Sequence, residues 1–195
     1  VVARLTVDPG WKRRFFSALF ALTTPALFSA CETGFSPPTG CPTAEKVTDS
    51  DRFTRFNGDS QRTEDIDFGA RIYGVYTPKC IYQLTGVEST NGSYVAELQI
   101  EFQTRPKPDD LRERETTIGY RVVLVDASGN KVSQYDRKIR LLITPDRAWA
   151  SKIDTPVIAL PLADGESADG YRIYVSLDLT ERDRAYNRRH PEQWP

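Results

Sequence analysis

Residues 94–103 read YVAELQIEFQ, and the alternation in this stretch decides the fold class. Tyr94, Ala96, Leu98, Ile100 and Phe102 share one side of an extended chain, whereas Glu97, Gln99, Glu101 and Gln103 share the other. Successive side chains of a strand point to opposite faces, so a period of two describes a strand with one dry and one wet face. A helix would place its apolar residues three and four apart. The same pattern recurs on both sides. Upstream, Ile66, Phe68, Ala70 and Ile72 alternate with Asp67, Gly69, Arg71 and Tyr73. Thr77, Pro78 and Lys79 read as a turn, after which Cys80, Tyr82 and Leu84 begin another strand. Downstream, residues 105–115 form a charged loop with two prolines, followed by a strand through Ile118, Tyr120, Val122 and Leu124. Ser128, Gly129 and Asn130 are a hairpin signal leading to Ile139, Leu141 and Ile143. Short strands are expected at residues 157–162 and through Tyr171, Ile173, Val175, Leu177 and Leu179.

About seven strands separated by turn signals predict an all-β protein, and an antiparallel sandwich of immunoglobulin or fibronectin III type rather than a barrel. Asp169, Gly170 and Tyr171 resemble the tyrosine corner of such domains; packing of Tyr171 in the core is the competing account. No repeat of the whole domain is visible. The chain has 195 residues, the size of one domain, with 39% hydrophobic and 27% charged residues, enough apolar surface to fold. Aromatic residues at 11% suit pleated faces. The formal charge is −1; without the first 30 residues, 22 basic face 26 acidic residues, a net of −4 that gives no general attraction to nucleic acid.

The leader reads differently. Lys12, Arg13 and Arg14 precede sixteen residues, 15–30, without a formal charge and closed by small side chains. This is a signal-peptide layout, too short for a spanning helix and interrupted by Pro25. The sequence starts at Val1 and contains no Met, consistent with an alternative start codon or a start nearer Trp11. Leu27, Phe28, Ser29, Ala30 and Cys31 resemble the lipobox of bacterial lipoproteins, although that family usually has Leu where Phe28 stands. The resemblance implies cleavage before Cys31 and a lipid on its sulfur. Glu32 in place of Asp favours the outer over the inner membrane by analogy with enteric sorting. Residues 1–30 are then the signal, 31–50 a lipid-bearing tether rich in Gly and Pro, 51–180 the sandwich and 181–195 a tail. Within the polar stretch 44–65, Phe53 and Phe56 are isolated apolar points expected to dock on the core, and a short helix is expected near Ser50.

With Cys31 lipidated, Cys41 and Cys80 remain as an even pair in an oxidising compartment, the pattern of one disulfide. A spacing of 39 with no CxxC argues against a metal site. In the tail, Thr180 can cap a helix with Glu181 and Asp183 in its first turn and Arg188 and Arg189 in its last. Leu179 and Thr180 followed by Ala185, Tyr186, Asn187, Arg188 and Arg189, with the lipobox and two further cysteines, is similar to an uncharacterised lipoprotein family of alphaproteobacteria. That resemblance implies a location and a β-rich fold without a biochemical role.

Catalytic motifs are missing from the sequence. His190, the one histidine, sits near the end beside Pro191 and reads as solvent-exposed, a poor place for a general base. There is no GxSxG, HExxH or phosphate-binding glycine loop. Asp49 with Asp51, and Asp109 with Asp110, are carboxylate pairs in polar segments, and Asp164, Glu166 and Asp169 lack the spacing of a calcium loop. Arg182, Arg184, Arg188 and Arg189 around Tyr186 are the most concentrated candidate for contact with an acidic partner or anionic headgroups. A lid folded onto the sandwich is the reading preferred for them. The expected function is a non-enzymatic interaction or structural lipoprotein of the cell envelope, needing no cofactor or metal, with another envelope protein as partner. The alternative is a periplasmic small-ligand carrier or an enzyme with an unrecognised site.

Overall fold

The computed structural model describes residues 38–84, 92–107, 112–145 and 149–191. The lipobox, Cys31, Asp109 and Asp110 lie outside them. The architecture is all-β, two facing sheets closed by one helix. Among the described residues nine strands form: β1 (Thr43–Lys46), β2 (Arg52–Phe56), β3 (Ile66–Leu84), β4 (Gly92–Pro106), β5 (Arg114–Val125), β6 (Lys131–Ile143), β7 (Ala150–Asp154), β8 (Val157–Leu160) and β9 (Arg172–Leu177). Helix α1 (Glu181–Arg189) follows. One sheet has the order β1-β9-β5-β6; the other runs β2-β3-β4-β7, with β8 also on β4.

The alternation seen in the sequence is the burial pattern of the core. Ala96, Leu98, Ile100 and Phe102 of β4 are buried with Ile72 of β3 and meet Tyr120, Val122 and Leu124 of β5 across the gap. The rings of Phe102 and Tyr120 pack 5.0 Å apart, tilted. The Tyr120 hydroxyl donates to the Asp154 carboxylate, which Arg137 faces at 3.5 Å. Burial, then the bond to Asp154, pushes the Tyr120 hydroxyl far above its ordinary pKa.

Several expectations are corrected. Thr77, Pro78 and Lys79 do not reverse the chain: β3 continues through an irregularity between Tyr76 and Lys79, because β4 goes on pairing with both halves. Arg105, Pro106, Arg114 and Glu115 belong to strands rather than to a loop. Near Ser50 there is a single 3-10 turn, Thr48–Ser50, followed by β2 instead of a helix. Phe53 and Phe56 are both docked, the former edge-on to Phe68 with centroids 6.0 Å apart and the latter on the helix. Their spacing of three hid the strand: a register shift between Arg55 and Phe56 turns Phe56 out of the strand period. Strands β1 and β7 were also missed, being short and largely exposed.

The part of the expected tether from Thr39 onward is built into the sandwich. Thr39 donates to Glu166 O at 3.1 Å and accepts from Ala168 N at 2.8 Å, and β1 runs parallel to β9. Gly40 has φ 75°, and a Cβ there would lie 2.2 Å from Asp169 Oδ1. Only glycine lets the chain pass so close, bringing Cys41 N within 3.1 Å of Asp169 Oδ1 and Gly40 O within 2.6 Å of the Tyr94 hydroxyl. The Cys41–Cys80 disulfide then ties this segment to β3, with Cα atoms 5.7 Å apart. The hairpin expected at Ser128–Asn130 forms as read: Gly129 takes φ 84°, and Asp126 Oδ1 accepts from Ser128 N and Asn130 N at 2.9 and 2.8 Å.

Candidate functional site

The tail forms the expected capped helix. Thr180 Oγ1 accepts from Asp183 N at 3.2 Å while Asp183 Oδ2 accepts from Thr180 N at 3.0 Å, a reciprocal capping box. Tyr186, only 4% exposed, turns inward and meets Phe56 edge-on at 5.2 Å; burial pushes its hydroxyl up. Asn187 is buried beside it, its Nδ2 donating to Asp49 O and Arg52 O at 2.9 Å each. His190 is not solvent-exposed as expected. Its ring stacks on Tyr186 at 4.5 Å and its N–H closes the helix on Tyr186 O, so it is half-buried.

The four arginines do not converge on an outward site. Arg182 donates to Asp59 O, and Arg189 to Gln61 Oε1 at 3.2 Å. Arg184 reaches Leu179 O at 2.8 Å and Glu181 at 3.1 Å; Arg188 reaches Glu181 at 2.6 Å and Asp49 at 3.6 Å. These bonds clasp the helix to the loop after β2 and to the turn before it. Between β2, that loop and the start of α1 lies an open surface groove of about 620 Å³ containing Arg55, Asp59, Arg182 and Asp183.

Asp51, Glu166 and Asp169 have structural roles, and Asp164 is exposed. Asp51 is buried, facing Lys46 at 2.9 Å and Arg52 at 3.3 Å. Asp169 holds Cys41, and Glu166 accepts from Ala163 N at 2.9 Å. Among the described residues, no three His, Cys, Asp or Glu side chains are arranged to hold a metal ion.

A different surface stands out, the outer face of the sheet containing β3 and β4. Tyr73 is 51% exposed, Tyr76 44% and Ile153 55%. Tyr73 is the extra residue of a bulge: Ile72 pairs with Phe102 and Gly74 with Glu101. Tyr76 folds back across Gly74, where a Cβ would touch the ring at 3.0 Å, and its hydroxyl donates to Glu101 Oε2 at 2.8 Å. Arg71 stacks between two rings, 5.1 Å from the centroid of Tyr73 and 4.3 Å from that of Trp149, whose ring also lies 5.4 Å from the Arg105 guanidinium. Gln103 fixes this ladder by accepting from Arg71 Nη2 at 2.8 Å and donating to Glu101 Oε1 at 3.1 Å. Partial burial raises Glu101, but hydrogen bonds from Tyr76, Gln103 and Ser151 outweigh it and hold the carboxyl below its ordinary pKa. The sequence carried one sign of this surface: Tyr73 falls on the wet side of an otherwise regular alternation. Trp149 directly precedes β7, which pairs with β4, so its stacking on Arg71 could not be read locally.

No family model, curated protein or solved structure matches the chain.

Proposed function

We propose that this protein is a lipid-anchored interaction module of the bacterial envelope, a member of the alphaproteobacterial lipoprotein group its ending resembles, and not an enzyme. The observation that carries the proposal is the Cys41–Cys80 disulfide. It uses two of the three cysteines, which suits an oxidising compartment, and leaves Cys31 as the third, within the lipobox-like stretch. It also clamps the chain ten residues after Cys31, so a pull on the anchor reaches the body through a covalent bond rather than through an unsupported edge strand. Two or three acyl chains on Cys31 give durable attachment, each buried methylene contributing about 0.8 kcal/mol. The anchor faces the periplasm, in the outer membrane by the Glu32 argument.

An immunoglobulin or fibronectin III type of sandwich is the finer reading of the fold. The strand order supports it: β4 and β5 lie in different sheets, β7 and β8 return beside β4, and β9 returns beside β5. Such a body presents rigid faces and loops to another envelope component. Cys31→Ser tests the reading. The variant should leave the membrane fraction and lose lipid labelling; labelling equal to that of the native chain would sink the assignment.

A further inference from the structure

We infer that the outer face of the β3–β4 sheet binds a polysaccharide strand carrying acetamido sugars, with pyranose rings laid on Tyr73 and Tyr76. This inference depends on the envelope reading above only for where such a strand would be met. Its warrant is the chemistry of the face. Two tyrosine rings follow one another along β3, each about half exposed, on a sheet surface rather than in a closed pocket. A sugar ring presents C–H groups on its flat side, which pack against an aromatic face, and hydroxyls around its rim, which need planar donors and acceptors. Both are supplied in register. Glu101 lies directly across from Gly74, where Tyr76 rests, and Gln99 is paired with Tyr76 in the next row. Ile153 is paired with Glu101 on the other side and is exposed. An acetamido group combines an N–H, a carbonyl and a methyl, and a carboxylate beside an exposed aliphatic side chain meets two of those three demands.

Charge decides against the other occupants. Arg71 is hydrogen-bonded to Gln103 and stacked on rings, Arg105 lies over the Trp149 ring, and Glu101 is held by Tyr76 and Gln103, so the centre of the face carries two guanidiniums and one carboxylate, each engaged within it. A nucleic acid needs a run of cations along its phosphates, far more than one net charge. An anionic membrane needs cations together with a continuous apolar surface. A protein partner would strip water from Arg71 and Glu101 together, and burying two charged groups that are not directly paired is costly. A neutral glycan brings hydroxyls that replace that water bond for bond. The preset geometry adds to this, because Tyr76 is pinned at Glu101 and Tyr73 against Arg71, so little freedom is lost on binding.

The test is co-sedimentation of the purified full-length protein in detergent with insoluble chitin, with cellulose as the polymer lacking acetamido groups. Chitin should pellet the protein, soluble N-acetylglucosamine oligomers should release it, and cellulose should retain it less. Tyr73→Ala combined with Tyr76→Ala should weaken chitin binding about tenfold or more, since each stacking contact removed counts separately. Ile153→Ala should weaken chitin binding while leaving cellulose binding unchanged. Leu142→Ala, at an exposed position on β6 of the other sheet, should bind chitin like the native chain. All these side chains are exposed, and circular dichroism verifies the fold of each variant. No sedimentation with chitin, or equal sedimentation of the double tyrosine variant, overturns the site; equal retention on cellulose overturns the acetamido assignment. Either failure leaves the anchor to be decided separately by Cys31→Ser.

Discussion

Where the chain enters the sandwich, residues 39–41 are held by a disulfide, by the Tyr94 hydroxyl on Gly40 O and by Asp169 on Cys41 N. At the opposite end, α1 is held by the ring of Tyr186 on Phe56 and by two hydrogen bonds from Asn187, with arginines clasping its rim. Both ends are closed, but by different physics. The disulfide acts largely by restricting the unfolded chain, so it keeps its effect whatever the local packing does. The helix contributes only while its buried face stays buried, and it can open together with β2 and the turn before it while the rest of the sandwich stays paired. For the anchored domain proposed above, this arrangement puts the covalent tie at the end nearer Cys31 and the non-covalent one at the far end.

The difference can be broken from either side. Replacing Cys41→Ala together with Cys80→Ala opens a loop of 39 residues and should cost about 4 kcal/mol by the loop-entropy relation, read as a lower urea midpoint with a steeper slope as the unfolded chain expands. A disulfide-free variant as stable as the native chain would show that hydrogen bonds alone hold the entry. Tyr186→Ala should cost about 3 kcal/mol as a buried aromatic truncation, with amide exchange rising first in α1 and in residues 48–56. Exchange rising equally at the entry end would contradict the independence of the two ends. The smallest effect is a shared control from the core between them. The Tyr120 hydroxyl has a raised pKa in the folded state, so its contribution is complete below its ordinary value of 10.0 and is lost as pH rises beyond that value. Stability of the native chain and of both end variants should therefore decline above about pH 10, and Tyr120→Phe should flatten that decline in all three. An alkaline decline unchanged by Tyr120→Phe would assign it to other tyrosines.

The elements that were legible share one property, a partner on one side only. Strand β4 announces itself because one face is core and the other is not, and α1 because its cap and charges are local. The elements that were hidden depend on distant partners. Strand β1 contributes little more than Ala44 to the core and exists because β9 offers it a parallel edge. Phe56 breaks the period of β2 because its contact is Tyr186, more than a hundred residues later. The arginines of the tail looked like one patch in sequence, yet their donors go to Asp59, Leu179, Glu181, Asp49 and Gln61, a distribution set by where the helix docks.

From residue order alone came the strand period, the all-β class, the pairing of the two later cysteines and the capping of the last helix, because hydrophobic alternation, cysteine count and cap chemistry act over short distances or by simple parity. The tertiary structure alone decided which strands neighbour one another, how the entry segment is bolted to β3, and that Tyr73, Tyr76, Arg71 and Trp149 gather on one face. Those outcomes depend on register between strands far apart in the chain, and register is settled only when both sheets close on a common core.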